Sequence, residues 1–163
     1  MISEKIIKPA FIGVVGHKKS GKTTLIEKLC TEMASRGVAV GTIKITSHDV
    51  EFDSPGKDTF RHRAAGSQVT LIKSKSQAAF FSDSEFINDE IITAIFKKCD
   101  YVFIEGNSGS SYPKIYVVDE RGMRGDISGP IIAIWGAGNV TSGTPFFNKD
   151  QCAKLCEFII SLK

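Results

Sequence analysis

The chain has 163 residues, of which 42% are hydrophobic and 24% charged, with a formal net charge of +3. That length suits one globular domain with a sizeable core and is short for two. The small net charge does not indicate a role in coating nucleic acid, and no stretch reaches the ~18 continuous apolar residues of a membrane helix.

Met1 to Lys8 sets Glu4 among lysines and isoleucines. The apolar run that follows leads to a glycine loop rather than a cleavage site, so no export signal is expected. Ala10-Phe11-Ile12-Gly13-Val14-Val15 reads as a buried strand. Thr24 to Arg36 reads as a helix with Leu25, Ile26, Leu29 and Met33 on one stripe and Gly37 as its C-cap. Between them, Gly16-His17-Lys18-Lys19-Ser20-Gly21-Lys22-Thr23 fits G-x-x-x-x-G-K-[ST] at every fixed position. Glycines at both ends of such a loop let successive backbone N–H groups converge on one spot, and the following helix adds the positive end of its dipole. Lys22 reaches the terminal phosphates and the Thr23 hydroxyl is placed to ligate Mg²⁺. The phosphates of a nucleoside triphosphate are the expected ligand.

Val38 to Ile45 is a second buried strand, and strand, helix and strand in this order predict a parallel sheet and an α/β fold. Thr46 to Gly66 concentrates His48, Asp49, Asp53, Lys57, Asp58, Arg61, His62 and Arg63 just past that strand's carboxyl end, where ligands bind in parallel sheets. Asp58 to Ala65 is predicted helical. Gln68 to Ile72 and Gln77 to Phe81 form a hairpin-like pair, and Ser82-Asp83-Ser84-Glu85 has the pattern of a capping box opening a helix up to Lys98. Asp100 to Gly106 is an apolar strand with Glu105 at its end, where a phosphate-loop protein needs a carboxylate for Mg²⁺. Asp100, at the opposite end, is a poor metal candidate. Asn107 to Tyr112 is flexible by composition, Lys114 to Val118 a strand, and Asp119 to Gly129 an exposed loop carrying Arg121 and Arg124. Ile131 to Gly136 is a strand, Ala137 to Thr144 a loop, and Pro145 to Asn148 a short edge strand or connector. The final helix runs from Asp150 to Leu162 with Asp150 as N-cap. Asn148-Lys149-Asp150-Gln151 misses the guanine-reading Asn-Lys-x-Asp pattern by one residue, so spacing does not identify the base. Cys30, Cys99, Cys152 and Cys156 form no C-x-x-C pair and fit a reduced thiol inventory, with Cys152 and Cys156 as core packing rather than metal ligands.

The phosphate loop, Gly41-Thr42-Ile43-Lys44, Ser47-His48-Asp49, the run from Pro55 to Gly66, Ile104-Glu105-Gly106 and Tyr112-Pro113-Lys114-Ile115 together resemble the molybdopterin-guanine dinucleotide biosynthesis protein B family. The likeness covers most of the chain and departs at Ile45, often His in the family, and at Asn107 and Ser108, where members carry an aromatic residue and a lysine. The resemblance implies a three-layer P-loop NTPase fold, a mostly parallel central sheet flanked by helices, in a single nucleotide-binding domain over 1–163. It implies a cytoplasmic, usually dimeric GTP-binding protein with weak Mg²⁺-dependent GTPase activity. Such a protein assists the nucleotidyltransferase that joins GMP to molybdopterin, with no role for nucleic acid or membrane. By position, Gly16, His17, Lys18, Lys19, Ser20, Gly21, Lys22, Thr23 and Thr24 would hold the nucleotide, and Thr23, Asp49 and Glu105 the metal. Lys22, Asp49 and Glu105 would form the catalytic set, with His48, Lys57, Arg61 and Arg63 lining the site. Arg61, His62 and Arg63 could also grip a second anion such as a pterin phosphate, because a guanidinium matches phosphate bidentately; direct binding of molybdopterin stays open. Two other readings remain: a nucleotide-controlled adaptor or carrier with negligible hydrolysis, and a small-molecule kinase.

Overall fold

A computed structural model describes residues 9–137 and 143–162. The reading of Met1 to Lys8, and part of the Ala137 to Thr144 loop, lie outside these residues. The chain divides into two compact units, one running up to Thr46 and resuming at Phe96, the other Ser47–Ile95.

Apolar runs in the first unit become the strands β1 (Ala10–Gly16), β2 (Val40–Lys44), β5 (Tyr101–Glu105), β6 (Lys114–Val118), β7 (Ile131–Gly136) and β8 (Phe146–Asn148). They form one six-stranded sheet in the order β2-β5-β1-β6-β7-β8, and every pairing in it is parallel. The expected α/β class and parallel sheet are therefore present. Successive side chains on a strand point to opposite faces. Val14, Phe103, Ile115, Val117 and Trp135 accordingly share one core with Leu25, Leu29 and Met33 of α1 (Lys22–Ser35) and with Leu155, Cys156 and Ile159 of α4 (Cys152–Ser161). Val15, Tyr116, Val118 and Ile134 build a smaller cluster from the alternate positions. Each fully buried apolar side chain contributes about 1.5–3 kcal/mol, so this sheet is a rigid platform for what sits at its carboxyl ends.

The second unit holds α2 (Asp58–Ala64), the antiparallel pair β3 (Val69–Lys73) and β4 (Ala78–Ser82), and α3 (Asp89–Ile95). Here one expectation fails. The helix read from Ser82 to Lys98 is a 3-10 turn at Ser84–Phe86 followed by the short α3. Ser82 completes β4, Ile87 is extended, and the cap comes from Asn88, whose Oδ1 accepts from the Ile91 N–H at 2.9 Å. Asp150 is likewise not the N-cap of the last helix. Gln151 holds that position without a side-chain bond, and the Asp150 N–H donates to Asn148 Oδ1 at 3.0 Å.

Candidate functional site

β1 delivers the chain to the loop, and α1 starts directly after it at Lys22. Gly16 has φ 148, and a Cβ there would stand 2.4 Å from the Val117 carbonyl oxygen, so only glycine lets β1 turn this close to β6. Lys19 has φ 65 at the tip. Lys22 Nζ donates back to the carbonyls of His17 at 2.6 Å and Gly16 at 3.3 Å. Burial lowers its pKa against the opposing pull of the Glu105 carboxylate, and the charges of Lys44, Arg124 and Arg121 lower it further. His17 Nε2 and Ser20 Oγ are buried without hydrogen-bond partners among the described residues. Buried polar atoms are normally satisfied; two left over on one loop fit an anion with several acceptor oxygens.

The parallel registers place Val14 and Lys44 on either side of Glu105. Glu105 Oε1 accepts from Thr23 Oγ1 at 3.0 Å and from Lys44 Nζ at 2.8 Å. A hydroxyl and a carboxylate this close are oxygen donors of the kind that would hold a hard cation. Among the described residues no group of three or more His, Cys, Asp or Glu stands ready to hold a metal alone.

Residues 11–134 match the family model for molybdopterin guanine dinucleotide synthesis protein B, MobB. The chain belongs to the MobB family. The adapter protein of molybdopterin-guanine dinucleotide biosynthesis from Escherichia coli K12 is 34% identical over 104 residues, 59% of this chain and 58% of its own. The putative one from Methanocaldococcus jannaschii is 34% identical over 114 residues, 68% of this chain and 47% of its own. The chain thus spans roughly half of the latter's length and under two thirds of the former's. The crystal structure of Bacillus subtilis MobB superimposes with TM-score 0.73 at 26% identity, over 93% of this chain and 96% of that one. A second MobB crystal structure gives 0.74 at 27% identity, over 93% and 97%. The P-loop NTPase fold of MobB is therefore the fold of this chain.

Of the MobB site residues expected from sequence, the structure brings Gly16 to Thr24 and Glu105 together. His48, Asp49, Lys57, Arg61 and Arg63 belong to the second unit. His48 and Asp49 are exposed, Lys57 is the N-cap of α2, and Arg61 faces Asp58 across 3.7 Å of solvent-exposed surface. Arg63 instead lies 3.8 Å from an Asp53 carboxylate whose side chain is 4% exposed.

Sequence reasoning missed Lys44 and Arg121. Arg121 Nη2 donates to the Lys18 carbonyl at 2.9 Å, joining the β6–β7 loop to the phosphate loop. Tyr116, buried on β6, anchors that loop: its hydroxyl donates to the Gly122 carbonyl at 3.2 Å and accepts from the Arg124 N–H at 2.8 Å. The available signal was position, since β6 also ends at the carboxyl edge where parallel sheets place their ligands. Hydrogen bonds from the Arg121 guanidinium hold the Asp119 carboxyl down to about 2. A depressed carboxyl stabilises the folded state above its ordinary value of 3.8 and loses that contribution as pH falls toward 2. Arg121→Ala is expected to return Asp119 to the ordinary carboxylate range, followed by NMR titration of its carboxyl carbon.

Proposed function

We propose that this chain is a Mg²⁺-dependent GTP-binding protein with weak GTPase activity. In this reading it assists, as a cytoplasmic homodimer, the nucleotidyltransferase that attaches GMP to molybdopterin. The observation that carries the nucleotide part is Thr23 Oγ1 hydrogen-bonded to Glu105 Oε1 beside Lys22 in a phosphate loop. The pathway, the partner and the dimer rest on family membership.

Lys22 and the loop N–H groups neutralise the phosphates, Lys22 exchanging its present carbonyl acceptors for phosphate oxygens. Thr23 and Glu105 would hold the cation, which would supply neutralisation of phosphate charge. Glu105 is at present paired with the Lys44 ammonium, which would have to share or release it for a cation. The word "adapter" in the relatives' names favours a second reading in which hydrolysis is incidental and nucleotide state controls partner binding.

Calorimetric titration of the full chain with GTP and with ATP in Mg²⁺ tests the proposal. GTP is expected to bind in preference to ATP, and Lys22→Ala to weaken it about 10- to 100-fold, the worth of one charge-assisted hydrogen bond. ATP binding as well as GTP, or Lys22→Ala without effect, removes the proposal.

A further inference from the structure

The second unit contains a cavity of about 580 Å³ walled by Phe52, Phe60, Phe80 and Phe81 and bordered by Asp53 and Arg63. Size and lining are those of small-molecule sites: apolar walls with few fixed polar groups. Phe52 is 79% exposed and Phe80 41%, so the aromatic faces are open to a ligand.

The polar border is built rather than incidental. Asp53 Oδ1 accepts from the Ser54 N–H at 2.9 Å and from Thr59 Oγ1 at 3.1 Å. Thr59 is the buried residue of α2, and Arg63 stands one helical turn later on the same face. The Arg63 guanidinium lies 3.8 Å from Asp53 Oδ2 and 5.7 Å above the centre of the Phe81 ring, so aromatic and carboxylate together fix its position. Asp53 Oδ2 remains buried with no hydrogen-bond donor, and 3.8 Å is too long for Arg63 to serve as one. A second cavity of about 350 Å³ shares Phe60 and Arg63 and adds Ser67, Gln68 and the backbone at Gly66. The guanidinium therefore stands between an aromatic chamber and a polar one.

We propose that this cavity binds a planar heteroaromatic ring with an N–H edge and an anionic substituent, a pterin phosphate, with the ring among the phenylalanines and the phosphate on Arg63. The aromatic walls match the flat ring, a guanidinium binds phosphate bidentately, and ring N–H groups are the donors that Asp53 Oδ2 lacks. Of the arginines in this segment only Arg63 is so placed; Arg61 is 74% exposed and paired with Asp58. The choice of a pterin as the ring rests on the molybdopterin role proposed above.

The test is titration of the purified full chain with neopterin 3′-phosphate, followed by pterin fluorescence, with GMP and unphosphorylated neopterin in parallel. Neopterin 3′-phosphate is expected to bind at least ten-fold tighter than neopterin. Arg63→Gln, with folding checked by circular dichroism, is expected to weaken it at least ten-fold, and Arg61→Gln by less than two-fold. Arg63→Lys keeps the charge beside Asp53 and loses the fork, and is expected to weaken binding several-fold even if Arg63→Gln fails to fold. Equal affinity in Arg63→Lys, no binding by the wild type, or GMP binding as tightly as the pterin overturns the proposal. So does light scattering in which Phe52→Ser converts a dimer to a monomer while pterin never binds, since a second copy then covers the cavity. Lys22→Ala in the same titration, read with GTP, reports separately on the phosphate loop.

Discussion

Lys114→Ala is expected to lower the free energy of unfolding by about 3–5 kcal/mol, the cost of removing a buried, hydrogen-bonded charge and leaving a void. Lys114 opens β6 and is fully buried. Its Nζ donates to the carbonyls of Ser110 at 2.5 Å and Tyr112 at 3.0 Å, and its Cγ lies 3.0 Å from where a Cβ on Gly13 would stand. Ser128 N–H adds a bond to the Ser108 carbonyl at 2.9 Å. The segment after Glu105, flexible by composition, is thus tied to the sheet, and the amine is what ties it. Lys114→Met fills most of the volume but leaves the two carbonyls without a donor, for an expected loss of about 1–3 kcal/mol. Burial lowers the Lys114 pKa below its ordinary 10.5. The unfolded chain then holds the proton to higher pH than the folded one, so stability rises with pH between the lowered value and 10.5. Lys22 is lowered by burial as well, so only the difference between wild type and Lys114→Met isolates Lys114. Guanidinium unfolding at pH 7.5 and pH 10 should show the wild type gaining on the variant; a constant gap would mean that the ammonium is not penalised by burial.

Glu105→Gln is expected to separate function from stability. Its ion pair is to a Lys44 side chain that is 64% exposed, and exposed pairs are worth less than about 1 kcal/mol. The unfolding midpoint should therefore hardly move. On the proposed function, in which Glu105 would hold Mg²⁺, removing its carboxylate should lower Mg²⁺-dependent GTP hydrolysis about 10- to 100-fold, the usual cost of losing a group that supports a metal. Single-turnover hydrolysis at two Mg²⁺ concentrations measures it; an unchanged rate at both would remove Glu105 from the metal site.

What the sequence discloses about this fold follows from burial. β6 and β7 are buried on both faces, so Lys114 to Val118 and Ile131 to Gly136 stand out as apolar runs, and the structure begins and ends those strands at the same residues. The phosphate loop and α1 are legible because glycine spacing and helical periodicity coincide. Ser82 to Glu85 misleads because a capping pattern is local, whereas the claim of β4 on Ser82 depends on its pairing with Val69. Arg121 is invisible for a similar reason: its contact with Lys18 spans 103 residues and exists only because β6 lies beside β1. In the second unit the charged residues are evident in the sequence, but which arginine is held and which is solvated is decided by Thr59 and Asp53, whose side chains say nothing of it alone.

The strand order has a consequence for biosynthesis. β1 lies between β5 and β6, and its partners are Tyr101–Glu105 and Lys114–Val117. At ribosomal speeds of about 5–20 residues per second, roughly 5–20 s pass after β1 is made before either neighbour exists. During that interval the phosphate-loop strand carries two open hydrogen-bonding edges, the exposed strand edges that make incomplete chains prone to aggregate.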